Sequence, residues 1–153
     1  MPPDRRASFA ALALVPLVLA SCYNFATPSY HPADARELVA VIGRQGLRVD
    51  AATPGASACD DPGLLANAMH LEVTDPADDG LRDVWVYAFR EKSWDASRAP
   101  VDACQDAYLT DHPGATLTRL DIPLYRAFGP DWSPDLTAAL EAGLTEASQA
   151  GGP

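Results

Sequence analysis

The sequence predicts an α+β domain: a small antiparallel or mixed four-stranded sheet with three helices packed mainly on one face. Three observations predict it. Apolar residues recur at helical spacing in some segments and every second residue in others. Laid out in order, these segments read helix, strand, strand, strand, helix, strand, helix. A chain of 153 residues that is 48% hydrophobic has room for one domain of ordinary size and too much apolar content for wholesale disorder.

The first helix starts at Pro32. Leu38, Val39, Val41 and Ile42 fall near i, i+3, i+4 spacing, and Gly46 marks its end. Residues 47–51 alternate apolar and polar and read as a strand. Pro54, Gly55, Cys59, Asp60, Asp61, Pro62 and Gly63 follow, a density of breakers that predicts an irregular loop. Residues 66–74 form a second strand with Met69, Leu71 and Val73 on one face and His70, Glu72 and Thr74 on the other. Asp75 to Gly80 is a turn, and residues 84–89, rich in β-branched and aromatic side chains, return as the partner of a β-hairpin. The next helix has three possible starts. Ser93 as N-cap would put Pro100 in the helix interior, Ser97 puts it in the first turn, and a kink is the third option. Val101, Cys104 and Tyr108 line its apolar face, and Pro113-Gly114 ends it. A fourth strand spans 115–123. The aromatic segment Tyr125-Arg-Ala-Phe-Gly-Pro-Asp-Trp132 reads as a loop because of its Gly-Pro. In the last helix Ser133 is the N-cap, Pro134 the first helical residue and Asp135 a favourable charge at the positive end of the dipole; Leu136, Leu140 and Leu144 repeat along it.

Ahead of this domain, Arg5-Arg6 precede an uncharged apolar run from Phe9 to Ala20 that ends Leu19-Ala20-Ser21-Cys22. The run has the length of a signal h-region and is short for a membrane span. The tetrapeptide in this setting resembles the lipobox of bacterial lipoproteins. The resemblance covers residues 1–22. It implies that residues 1–21 are a lipoprotein signal peptide, that Cys22 receives lipid and becomes the new N-terminus, and that the protein is held by palmitate-like acyl chains on the outer face of a cell membrane or envelope. Residues 22–31 are then the lipidated cysteine and a spacer, and 32–150 a single domain. Without residues 1–21 the chain has 20 acidic and 9 basic residues, net -11. That balance argues against a nucleic-acid partner, which needs clustered Lys and Arg. The expected partners are the membrane, through the anchor, and a protein or small molecule of unassigned identity.

In an exported chain the two remaining cysteines, Cys59 and Cys104, are expected to form a structural disulfide; nothing like Cys-x-x-Cys is present. Asp75, Asp78, Asp79 and Gly80 suggest a calcium loop, but an EF-hand count from Asp75 puts Ala77 at position 3 and Val86 at position 12. The pattern fails, and a solvated acidic turn is expected instead. His31, His70 and His112 lack partners at metal-ligand spacing and read as surface residues. There is no Gly-x-Ser-x-Gly elbow, P-loop or dinucleotide fingerprint. No catalytic residues, metal or cofactor can be assigned, and the reading leans away from an enzyme. The feature that stands out is the strand Val84-Trp85-Val86-Tyr87-Ala88-Phe89, apolar on both faces. A strand with one solvated face should be polar there. Trp85, Tyr87 and Phe89 therefore lie either under a covering layer or along the wall of a ligand groove. The leading expectation is a membrane-tethered binding or interaction module. A tethered envelope enzyme with an unrecognised site, or a structural envelope protein without ligand, are the alternatives.

Overall fold

A computed structural model describes residues 32–150. The order of elements is α1 (Ala35–Arg44), β1 (Arg48–Pro54), α2 (Pro62–Leu65), β2 (Ala68–Thr74), β3 (Leu81–Ala88), α3 (Glu91–Trp94), a 3-10 turn (Asp95–Ser97), α4 (Arg98–Asp111), β4 (Leu117–Ile122), β5 (Tyr125–Pro130) and α5 (Pro134–Ala150). One open antiparallel sheet runs β1-β2-β3-β5-β4. The domain is α+β, with three corrections. The sheet has five strands rather than four, and helices pack on both of its faces. Short helical turns α2 and α3 also join the three predicted helices.

The extra strand is β5, in the segment that reads as a loop. It sits between β3 and β4, and Tyr125, Arg126, Ala127 and Phe128 pair with Ala88, Tyr87, Val86 and Trp85. Gly129 and Pro130 do not break it, because each has a place there. Gly129 lies where a Cβ would fall 2.1 Å from the Asp83 carbonyl oxygen and 2.4 Å from Trp132 Nε1, so only glycine lets Trp132 pack across the strand. Pro130 is the last residue of the strand, where a missing N–H costs little.

Alternation divides the side chains between two cores. The first face presents Met69, Leu71, Val73, Val84, Val86, Leu120, Ile122 and Ala127 to α1 and α5, which bring Leu38, Val41, Ile42, Leu136, Leu140 and Leu144. The two helices approach closely at Gly143, which faces the Ile42 backbone. The second face carries Tyr87, Phe89 and Phe128 and meets α4 through Val101, Cys104 and Tyr108. α4 therefore lies on the opposite side from its sister helices. Its own apolar stripe was legible, but the face it chooses follows from the aromatic side of β3, which needs a cover.

Local signals explain the element ends. Asp34 caps α1, its carboxylate accepting from the Glu37 N–H at 2.8 Å. Ser133 caps α5, its Oγ accepting from the Leu136 N–H at 3.0 Å. Pro100 falls in the first turn of α4 and Ser97 is the residue before it, as one of the three readings has it. The Ser97 hydroxyl does not cap, however. It donates to the Trp94 carbonyl at 2.6 Å, because α3 and the 3-10 turn run directly into α4.

Candidate functional site

α4 crosses the second sheet face and separates the three aromatic residues of β3. Tyr87 is fully buried beneath it. Its hydroxyl lies 2.9 Å from Ser57 Oγ and accepts the Ala58 N–H at 3.2 Å, which ties the loop after β1 to the sheet. Burial pushes this hydroxyl above its ordinary pKa, against the opposing effect of those two hydrogen bonds. Phe89 is 5% exposed and sits at one end of α4. Trp85 sits toward the other end and is only half-buried. The single aromatic wall therefore resolves into one core residue and two residues at separate openings.

At the Phe89 opening a hollow of about 330 Å³ is lined by Asp61, Leu64, Asn67, Phe89, Ser93 and Ser97 among others. Behind it lies Arg126, 2% exposed. Its Nε–H donates to Ser97 Oγ at 3.0 Å and a terminal nitrogen donates to the Trp94 carbonyl at 3.3 Å; the other pairs with Asp121. The guanidinium carbon lies 4.0 Å from the centroid of the Trp94 ring. Each nitrogen of Arg126 donates to a protein group, so this arginine fixes α3 and the 3-10 turn to the sheet.

The Trp85 opening is built differently. The His70 ring, opposite Trp85 on β2, stacks on the indole at 5.3 Å and 18°. Tyr108 of α4 and Phe128 of β5 contact it at 5.0 and 5.6 Å, and His112 stacks on Tyr108 at 4.1 Å. His70 Nε2 donates to Asp83 Oδ1 at 2.7 Å. His70 is thus a half-buried, paired residue rather than a free surface histidine. Next along the same face, Glu72 stands directly across from Asp83. On this side Leu64 of α2 packs by the Ala68 end of β2, while His70 and Glu72 further along β2 stay partly exposed.

Cys59 and Cys104 form the expected disulfide, with Cα atoms 5.4 Å apart and 45 residues between them. It binds the irregular loop to α4 beside Tyr87, and closing a loop of that length contributes about 2–4 kcal/mol. In the acidic turn Asp78 and Asp79 are exposed as expected, and Asp75 is the exception. Asp75 is fully buried. Its carboxylate accepts the Ser133 hydroxyl at 2.6 Å, the Ser133 N–H at 3.0 Å and the Ala77 N–H at 3.0 Å, so it joins the β2–β3 turn to the start of α5. Among the described residues no group of three or more His, Cys, Asp and Glu is placed to hold a metal ion, and no helix is long and apolar enough to cross a membrane. Cys22 and His31 lie outside the described residues.

Comparisons with protein-family models, curated proteins and solved structures find no match for this chain.

Proposed function

We propose that the chain is a lipid-anchored extracytoplasmic binding module whose recognition surface is the open part of the second sheet face around Trp85. The observation that carries the binding reading is the partial exposure of Trp85. α4 covers Tyr87 fully but reaches Trp85 only through Tyr108, so part of a large aromatic side chain stays in contact with water. Aromatic side chains placed this way are the kind that serve as anchors in binding interfaces. Two features support the address: the Cys59–Cys104 disulfide, which suits an oxidising compartment, and the lipobox-like Leu19-Ala20-Ser21-Cys22.

The test compares the native tethered protein with Trp85→Ala in capture of partners from envelope extract. Loss of a captured species from a variant that still unfolds cooperatively supports the reading. Unchanged capture by a folded Trp85→Ala protein would overturn it.

A further inference from the structure

We infer that β4 is a pairing edge and that its partner is β4 of a second copy of this chain, laid antiparallel across a two-fold axis at Leu120 so that the two sheets run on as one. The inference is independent of the Trp85 reading, since β5 separates β4 from the strand that carries Trp85.

The two edges of the sheet differ. β1 is blunted: its register with β2 shifts between Val49 and Ala51, and it ends at Pro54. A bulge and a proline are devices that keep an edge from pairing with another chain. β4 has neither, and its six residues pair with β5 without a shift. The Asp131 N–H donates to the Thr116 carbonyl at 2.9 Å, which sets the alternation: Thr116, Thr118, Leu120 and Ile122 turn their backbone groups toward β5. Leu117, Arg119 and Asp121 turn theirs away from the sheet, where no strand lies among the described residues. A row of free N–H and C=O groups on an unbroken strand is a template for a further strand.

Charge complementarity names the partner. A strand edge guarded by charge repels its own kind, but β4 carries opposite signs two residues apart, Arg119 and Asp121, both on the face that meets α4. Opposite charges directly across an antiparallel pair stabilise it, and like charges destabilise it. A two-fold axis at Arg119 would set two arginines against each other, and one at Asp121 two aspartates. With the axis at Leu120, Arg119 lies across from the second copy's Asp121, and Asp121 from its Arg119. The outward backbone groups of these same residues then meet in register. On the opposite face Leu120 meets Leu120, and Thr118 meets Ile122, both β-branched. Both charges are accessible. The Arg119 side chain is 47% exposed and its ion pair with Asp106 is 4.0 Å long, and Asp121 stays 50% exposed with Arg98 and Arg126 beside it.

The experiment measures the mass of the native protein in density-matched mild detergent by sedimentation across protein concentration, and follows backbone hydrogen exchange in the same samples. A dimer is expected to form as concentration rises, with the Arg119 and Asp121 amides exchanging about tenfold more slowly in it than in the monomer. Arg119→Asp sets like charges across the axis and should raise the dissociation constant about tenfold, whereas Arg119→Lys keeps the sign and should change it by less than about threefold. Arg119→Pro removes an outward N–H that the β4–β5 ladder does not use, and should weaken pairing at least as much while the chain still unfolds cooperatively. Arg48→Asp makes the same charge change at an exposed residue of β1 and should leave the dimer unchanged. A chain that stays monomeric at every concentration, or a dimer that Arg48→Asp weakens as much as Arg119→Asp does, would overturn the inference. So would a dimer in which the Arg119 and Asp121 amides exchange as fast as in the monomer, since association then runs through another surface. Should Arg119→Pro fail to fold, Arg119→Asp, a change at an exposed side chain, decides the matter alone.

Discussion

Asp75 shows how a single residue can link distant parts of the chain. Burial alone would favour its neutral form, but the Ser133 hydroxyl, the N–H groups of Ala77 and Ser133 and the Arg82 charge outweigh burial and hold the carboxyl below its ordinary value of 3.8. Asp50, through Thr74 and Arg48, and Asp78, through the Gly80 N–H and Arg82, are lowered as well. A carboxyl with a depressed folded pKa stabilises the fold fully above its unfolded value, and that stability is lost as pH falls through the folded pKa. The melting temperature should therefore vary little with these groups from neutral pH down to about 5 and drop below about 4. Asp75→Asn should cost about 2–3 kcal/mol at neutral pH, because an amide cannot accept all of these bonds as a carboxylate does, and it should flatten the acid limb. Melting curves across pH for both proteins measure this; an unchanged acid limb in the variant would show that Asp75 is not its source. Trp85 and Phe128 make a second pair of contrasting residues. They touch at 5.6 Å, but Phe128 is fully buried and Trp85 is not. Phe128→Ala should cost about 3–5 kcal/mol. Trp85→Ala should cost only about 1–2 kcal/mol, in proportion to the area it actually buries. Equal losses in denaturant unfolding would make Trp85 an ordinary core residue.

Among the elements, β5 decides the architecture and is the one the sequence concealed. Five of its six residues are buried, so it carries no alternation of apolar and polar side chains, and Arg126 stands where a central strand would normally have an apolar residue. Composition cannot distinguish that from an aromatic loop. Its Gly129 looks like a breaker until Trp132 is seen to lie across it, the indole N–H donating to the Asp83 carbonyl at 3.0 Å. By contrast α1, β2, α4 and α5 were legible because each shows an apolar period, and β3 because its run of β-branched and aromatic residues is long and unbroken. The disulfide was legible because, of three cysteines, Cys22 is expected to carry lipid and the remaining two permit one pairing. The site was legible in part. Trp85 stood out, but His70, Tyr108 and Phe128 meet its ring from β2, α4 and β5, and no local spacing encodes that meeting. The role of Gly129 gives a direct test. Gly129→Ala should destabilise by about 3 kcal/mol or more, because the Asp83 carbonyl oxygen belongs to the neighbouring strand and cannot move aside. Chemical denaturation would measure it, with a near-neutral result showing that Trp132 can reseat elsewhere.

At the scale of the whole molecule, the two ends of the proposed function lie on opposite sides of the sheet. The described chain begins beside the first face. The Ala33 N–H donates to the hydroxyl of fully buried Tyr125 at 2.6 Å, just ahead of α1, which packs there with α5. Trp85 lies on the second face with α4. A lipid attached at Cys22 would thus pull on the α1 side and leave the Trp85 side free for a partner. The charge of the domain sets what the anchor must do. With 20 acidic and 9 basic residues after position 21, the domain is repelled by anionic headgroups, so acyl chains alone would have to hold it. Membrane retention of the native protein should therefore survive high salt and yield to detergent. Cys22→Ser should leave an exported protein in the soluble fraction, or an unprocessed precursor, and the released form should not bind anionic vesicles even at low ionic strength. Its melting temperature should match that of the native protein, since the packing of the described domain does not involve the tether. Intact mass of the native protein should show an N-terminal Cys22 heavier by its acyl groups. A native protein whose Cys22 carries no lipid, or a Cys22→Ser variant that still sediments with membranes, would overturn the anchor.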